Sequence, residues 1–198
     1  MQHDVEAQFR LACYYLFCSF DESPQKRIEM EKLLRTAAER EHPDAVYWLG
    51  HLYPEGAERD SLLLRAGELG SLEAQRDLGA LHATGDWTGP HDPARAVEWY
   101  RRAAERGHID AQYNLGCMYL SGEGVPSDPI EGLRWLRCAA NQGDGQTLGV
   151  LSEVYRNGYY GVPSDLEEAE RWDKQYRQTE WYRMSEEKRA AKGANPLA

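Results

Sequence analysis

Residues 111 to 128 read AQYNLGCMYLSGEGVPSD, and the spacing of this stretch decides the fold. Ala111, Leu115, Gly116 and Tyr119 fall at i, i+4, i+5 and i+8, one stripe of a helix and not the alternation of a strand. The same pattern of small, Leu, small and ring-bearing residues returns four times: Ala7/Leu11/Ala12/Tyr15, Ala45/Leu49/Gly50/Tyr53, Ala74/Leu78/Gly79/His82 and Thr147/Leu151/Ser152/Tyr155. Successive copies are offset by 38, 29, 37 and 36 residues, so one unit is shortened and the others agree.

A second motif runs in phase with the first. Trp99 to Gly107 (WYRRAAERG) matches Trp135 to Gly143 (WLRCAANQG), and Leu33 to Arg40 (LLRTAAER) repeats it again. Each unit is therefore expected to contain two helices. Paired alanines and Gly116 would let neighbouring helices approach closely, with Trp99, Trp135 and Trp172 filling the layers between them. One unit cannot bury its stripe alone, so the core must come from stacking.

Punctuation agrees with this reading. Asp128-Pro129, Asp92-Pro93 and Ser23-Pro24 pair a side-chain acceptor at the N-cap with proline at the first helical position. Glu131 and Glu168 stand three residues after Asp128 and Asp165, the spacing of a capping box. Gly122 and Gly158 are placed to end first helices; Gly70, Gly107 and Gly143 are placed to end second ones.

These residues resemble the Sel-one-like repeat, a relative of the tetratricopeptide repeat with a longer turn between helices. The signature is Ala-x-x-x-Leu-Gly-x-x-Tyr-x-x-Gly-x-Gly-Val-x-x-Asp from Ala111 to Asp128, followed by the Trp and Ala-Ala spacing, and the resemblance runs over about residues 5 to 176. It implies an all-α, right-handed α-solenoid of about five helix-turn-helix repeats with a C-terminal capping helix. The expected organisation is a single repeat domain over 1–189, with units at about 5–42, 43–71, 72–108, 109–144 and 145–189, and a flexible tail over 190–198. Two departures stand out. The unit from Ala45 replaces the long turn by Pro54-Glu55-Gly56, and the turn after Gly85 reads Asp86-Trp87-Thr88-Gly89-Pro90-His91. The last helix has Tyr176 and Arg177 where paired alanines would sit, which marks Asp165 to about Lys188 as a closing element.

Composition narrows the function. The 198 residues are 41% apolar and 28% charged, which is globular, and 33 acidic against 23 basic residues leave a net charge of -10. That balance argues against nucleic acid as a ligand and favours a basic partner. The start lacks the positive region of a secretory signal, and the apolar patch from Leu11 to Phe20 is too short and too broken to span a bilayer. Cys13, Cys18, Cys117 and Cys138 form no CxxC pair and do not recur with the repeat. They read as small thiols in a reducing compartment, and the chain is expected in the cytoplasm without membrane attachment.

Catalytic and metal-binding patterns are weak. His3, His42, His51, His82, His91 and His108 are scattered over different repeats without metal-ligand spacing, and no cofactor is implied. The Gly122-Glu123-Gly124-Val125 turn joins two helices and lacks the Lys-Ser/Thr of a phosphate loop. No Ser or Cys sits in a nucleophile elbow. The chain therefore reads as a non-enzymatic module for binding another protein, in the manner of a bacterial adaptor or regulator.

In solenoids of this type the first helices line the concave face. The candidate contact residues projected onto that face are Tyr47, His51, Arg76, Tyr113, Asn114 and Glu153, with Phe9, Cys13, Trp48, Asp77, Ala80 and Cys117 beside them. Tyrosine offers apolar area with a hydrogen-bonding end, and arginine can pair with a carboxylate. Within the family the same architecture also serves immunity proteins that neutralise toxic effectors, and a cell-wall-related hydrolase is a further alternative. Hydrolase-like members place cysteines regularly in each unit, which Cys117 and Cys138 do not.

Overall fold

A computed structural model of the chain describes residues 2–17 and 23–184. The helices are α1 (Gln2–Phe17), α2 (Pro24–Glu39), α3 (Pro43–His51), α4 (Ala57–Leu69), α5 (Leu72–Thr84), α6 (Pro93–Glu105), α7 (Ile109–Ser121), α8 (Pro129–Asn141), α9 (Gly145–Asn157) and α10 (Leu166–Tyr176), with a short 3-10 turn at Tyr159–Gly161. They pack as consecutive hairpins, so the expected all-α architecture of five helix-turn-helix repeats with a closing helix is what the structure shows. The hairpins gather into two compact units, Met1–Arg106 with α1 to α6 and Gly107–Ala198 with α7 to α10.

Local chemistry explains where the helices start. Asp92 accepts from the Arg95 amide at 3.1 Å, Asp128 from those of Ile130 and Glu131 at 3.1 Å, and Asp165 from that of Glu168 at 3.0 Å. The amides of Asp128 and Asp165 themselves donate to the carbonyls of Tyr119 and Tyr155. Glu131 binds Arg134, and Glu168 accepts from the Trp172 indole at 3.2 Å. Ser23 holds the N-cap of α2 without a side-chain cap bond. First helices have their own series of caps, for His42, Ser71, His108 and Asp144 accept from the amides of Ala45, Ala74, Ala111 and Thr147. A ring nitrogen that accepts in this way must be unprotonated.

The first three positions of the predicted stripe are buried in four of its five copies, with Tyr53 and Tyr119 half-buried at the fourth position. Ala45, Leu78, Leu115, Thr147 and Leu151 are among the most enclosed residues. In the first copy Ala12 is buried, whereas Leu11 is 41% exposed and Ala7 is also exposed.

Close approach is the reason for the small residues. A Cβ on Gly116 would stand 2.8 Å from Leu136 and 3.0 Å from the Gly132 carbonyl, and one on Gly132 would stand 2.9 Å from the Gly116 carbonyl. The backbones of α7 and α8 therefore meet almost directly. Between successive hairpins an arginine on a second helix reaches the tyrosine that ends the next stripe: Arg35 donates to the Tyr53 hydroxyl at 3.1 Å, and Arg137 donates to that of Tyr155.

The shortened second repeat is supported by the irregular turn that follows the third first helix. Asp60 on α4 accepts from the Thr88 amide and hydroxyl, and Trp87 folds over His82 with ring centroids 4.3 Å apart. The closing element differs from the expected run to Lys188. α10 ends at Tyr176, and Thr179 takes the Tyr182 amide at 3.2 Å to start a new helical segment over 180–184. A Cβ on Gly145 would stand 2.7 Å from that of Trp181, so a glycine on α9 makes room for this segment. Lys188, the 190–198 tail and Cys18 lie outside the described residues.

Candidate functional site

In the first unit α3 and α5 bring three of the sequence-selected residues around a fourth. Tyr47 and His51 lie one helical turn apart on α3, and their rings meet edge to face at 4.5 Å. The Tyr47 hydroxyl donates to Asp77 Oδ2 on α5 at 3.0 Å, and His51 Nε2 stands 3.7 Å from the same oxygen. Arg76 Nη1 pairs with Asp77 Oδ1 at 2.5 Å while its Nη2 lies 3.6 Å from Glu73. Asp77 is thus the hub.

Burial by itself would raise the Asp77 carboxyl. The His51 contact, the Arg76 charge and the Tyr47 hydrogen bond together outweigh it and hold the group below the usual carboxylate range. The phenol of Tyr47 is pushed up, first by burial and then by the negative charge of Asp77. Tyr47 is only 5% exposed, and its ring belongs to the apolar core. His51 and Arg76 are the accessible ends of the cluster.

Beside it a surface cleft of about 580 Å³ is walled by Phe9, Tyr47 and Trp48 and by the charged side chains of Asp44, Glu73, Arg76 and Arg106. Arg106 Nη1 donates to the Gly70 carbonyl at 2.5 Å, which fixes one rim. An aromatic wall with paired charges at its edge can take an apolar side chain and exchange hydrogen bonds around it.

In the second unit Tyr113 and Asn114 are half-buried on α7, and Glu153 is exposed on α9. Burial raises the Tyr113 phenol, with Cys117 as the next contributor, and burial also raises the Cys117 thiol. A nucleophilic thiolate is therefore disfavoured at Cys117. Glu153 lines a different cleft, of about 490 Å³, with Val150, Arg156, Tyr176, Trp181 and Tyr182. Neither Tyr113 nor Asn114 lines it.

Asp77 and Trp48 carry more of the local geometry than their place as neighbours in the sequence reading implied. A polar residue following Arg76 on the first-helix face was the only signal for Asp77. Cys13, Cys117 and Cys138 are free. Among the described residues no group of three or more His, Cys, Asp or Glu side chains could hold a metal ion, and no helix is long and apolar enough to cross a membrane.

The Sel1 repeat family profile matches residues 5–28, 72–108, 109–144 and 148–172, together more than half of the chain. This chain belongs to the Sel1 repeat family. The Sel1 profile passes over residues 29–71, a stretch that includes the shortened second repeat with its missing long turn. A Sel1 repeat protein from Oxalobacter formigenes is 31% identical with a TM-score of 0.74, covering 88% of this chain and 73% of that one. The protein c5321, a protective antigen present in uropathogenic Escherichia coli strains, is 30% identical with a TM-score of 0.76. That match takes in 98% of this chain but only 42% of c5321, so this chain spans less than half of its length. The immunity protein Pa5087 from Pseudomonas aeruginosa shares the fold at 21% identity and a TM-score of 0.51, over 87% of this chain and 65% of its own. No curated protein matches the sequence significantly.

Proposed function

We propose that this Sel1 repeat chain is a non-catalytic module that binds a partner protein through the first-helix faces of its repeats, with Tyr47, His51, Arg76, Tyr113, Asn114 and Glu153 as contact residues. The observation that carries this reading is the cluster around Asp77, which presents Arg76 and His51 beside an aromatic cleft. Buried pairing holds these side chains in place before a partner arrives, which lowers the ordering cost of binding. The role that fits is that of an adaptor or regulator acting in the cytoplasm, in keeping with free cysteines.

Tyr47 is buried and the Tyr113 ring is half-buried, so the test is made on the other four side chains. The full chain and a variant carrying His51→Ala, Arg76→Glu, Asn114→Ala and Glu153→Arg are compared by affinity purification and mass spectrometry. The variant should lose the partner while its circular dichroism stays helical. Equal recovery by both proteins would remove this face from the mechanism.

A narrower reading is an immunity protein against a toxic effector, favoured by the net charge of -10, which suits a basic toxin. Protection of cells that express such a toxin separates it from an adaptor.

A further inference from the structure

Two interhelix turns of the second unit have the same sequence, Gly-Val-Pro-Ser-Asp, at Gly124 to Asp128 and at Gly161 to Asp165. They also share backbone features. Gly124 and Gly161 sit at φ 70° and 75°, and Asp128 and Asp165 donate their amides to the carbonyls of Tyr119 and Tyr155 at 2.9 and 2.8 Å. Ser127 and Ser164 each hold the preceding helix end through a hydroxyl, at 3.1 and 3.0 Å.

Between the turns runs an open groove of about 710 Å³ whose floor is Val125, Pro126, Ile130, Leu133, Val162 and Pro163. Ile130, in the first turn of α8, is 83% exposed, and Tyr159, Tyr160 and Leu166, which flank the second turn in sequence, are each more than half exposed. A lone exposed apolar residue needs no explanation, but a contiguous apolar lining is a mark of a docking surface.

Charge selects the occupant. None of the groove-lining residues is basic, and Asp128 is the one charged member. Glu123 and Asp165 stand in the two turns beside it. Of the arginines close to the two turns in sequence, Arg134 pairs with Glu131 at 2.5 Å, Arg156 stands 3.7 Å from Asp173, and Arg171 pairs with Glu167 at 2.6 Å. The single charge in the apolar lining is therefore negative.

We propose that this groove docks a segment of a partner protein in which a branched aliphatic or aromatic side chain is flanked by Lys or Arg. The apolar side chain covers Ile130 and enters between Val125 and Pro163, and the flanking cations meet Glu123 and the two turn aspartates. The groove is separate from the first-helix cluster around Asp77, and either assignment can fail without the other.

The test pans random peptides displayed on phage against the full chain, then measures synthetic fluorescein-labelled forms of the enriched sequences by fluorescence polarisation. Enriched peptides should combine an apolar core with flanking Lys or Arg. Ile130→Glu should weaken them roughly tenfold or more, as expected for a central apolar anchor. Glu123→Lys should weaken them several-fold, and raising salt from about 50 to about 500 mM should weaken them further. Both variants should keep wild-type circular dichroism and melting temperature, and the His51→Ala, Arg76→Glu pair should bind like wild type. Three results would overturn the proposal: no enrichment over an Ile130→Glu control surface, enriched peptides without basic residues, or binding that ignores Ile130. A concentration-dependent dimer in sedimentation that Ile130→Glu dissolves would assign the groove to a second copy of the chain instead.

Discussion

The carboxylate of Asp60, only 5% exposed, accepts both the backbone amide of Thr88 at 2.9 Å and its hydroxyl at 2.6 Å. Twenty-eight residues separate the two. The pairing ties α4, the second helix of the shortened repeat, to the turn that departs from the Sel1 pattern. A turn lacking the usual Gly-Val pattern is thereby given a fixed place.

Removal of the Asp60 carboxylate should loosen that turn and destabilise the chain. Hydrogen bonds to charged groups contribute about 1.5 to 3 kcal/mol each, and Asp60→Ala leaves two Thr88 donors without their acceptor. The expected loss is about 2 to 3 kcal/mol, a fall in melting temperature of roughly 4 to 12 °C for a chain of this size. Asp60→Asn retains one acceptor oxygen and should lose less. Equal melting temperatures for Asp60→Ala and wild type, by differential scanning calorimetry, would show that the contact is ornamental.

His82 makes stability depend on pH. Its ring is 1% exposed against Trp87, and burial, then the Arg95 charge, lowers its pKa below the ordinary histidine value. Below about pH 6.5 the unfolded chain binds a proton at this position that the folded chain refuses. The His82 contribution is therefore complete above that pH and is lost as the solution becomes more acid. His82→Phe should flatten the fall of melting temperature between about pH 7 and about pH 5, by up to roughly 1.4 kcal/mol per pH unit. An unchanged slope would place the acid sensitivity elsewhere.

Gly116 and Gly132 should reject even a methyl group. Each added Cβ would stand within 3.0 Å of the opposing backbone carbonyl, which cannot swing aside as a side-chain end can. Gly116→Ala and Gly132→Ala should each cost about 1 to 3 kcal/mol by overpacking, despite the better helix propensity of alanine. Gly107, with φ of 91° and open space around it, should respond differently. Its alanine variant meets only backbone strain, about 1 kcal/mol. Chemical denaturation of the three variants gives the comparison directly.

How much was legible in the sequence follows from how local each interaction is. The repeat count, the helix caps and the glycine ends depend on residues a few positions apart, so a stretch such as Ala111 to Asp128 carries them on its own. Asp128, Asp92 and Asp165 cap as their spacing requires because a side-chain oxygen and an amide three residues on are always neighbours. Tertiary packing decided the rest. Asp77 became the hub of the candidate site only when α3 and α5 aligned, and the same alignment buried Tyr47. The segment that Thr179 starts after the closing helix packs its Trp181 where Gly145, far back in the chain, carries no side chain. Ile130 and the two Gly-Val-Pro-Ser-Asp turns form one groove because consecutive repeats bring equal turns together in space. Distances between residues dozens of positions apart depend on how helices stack, and a one-dimensional pattern states which face is apolar without stating what comes to lie against it.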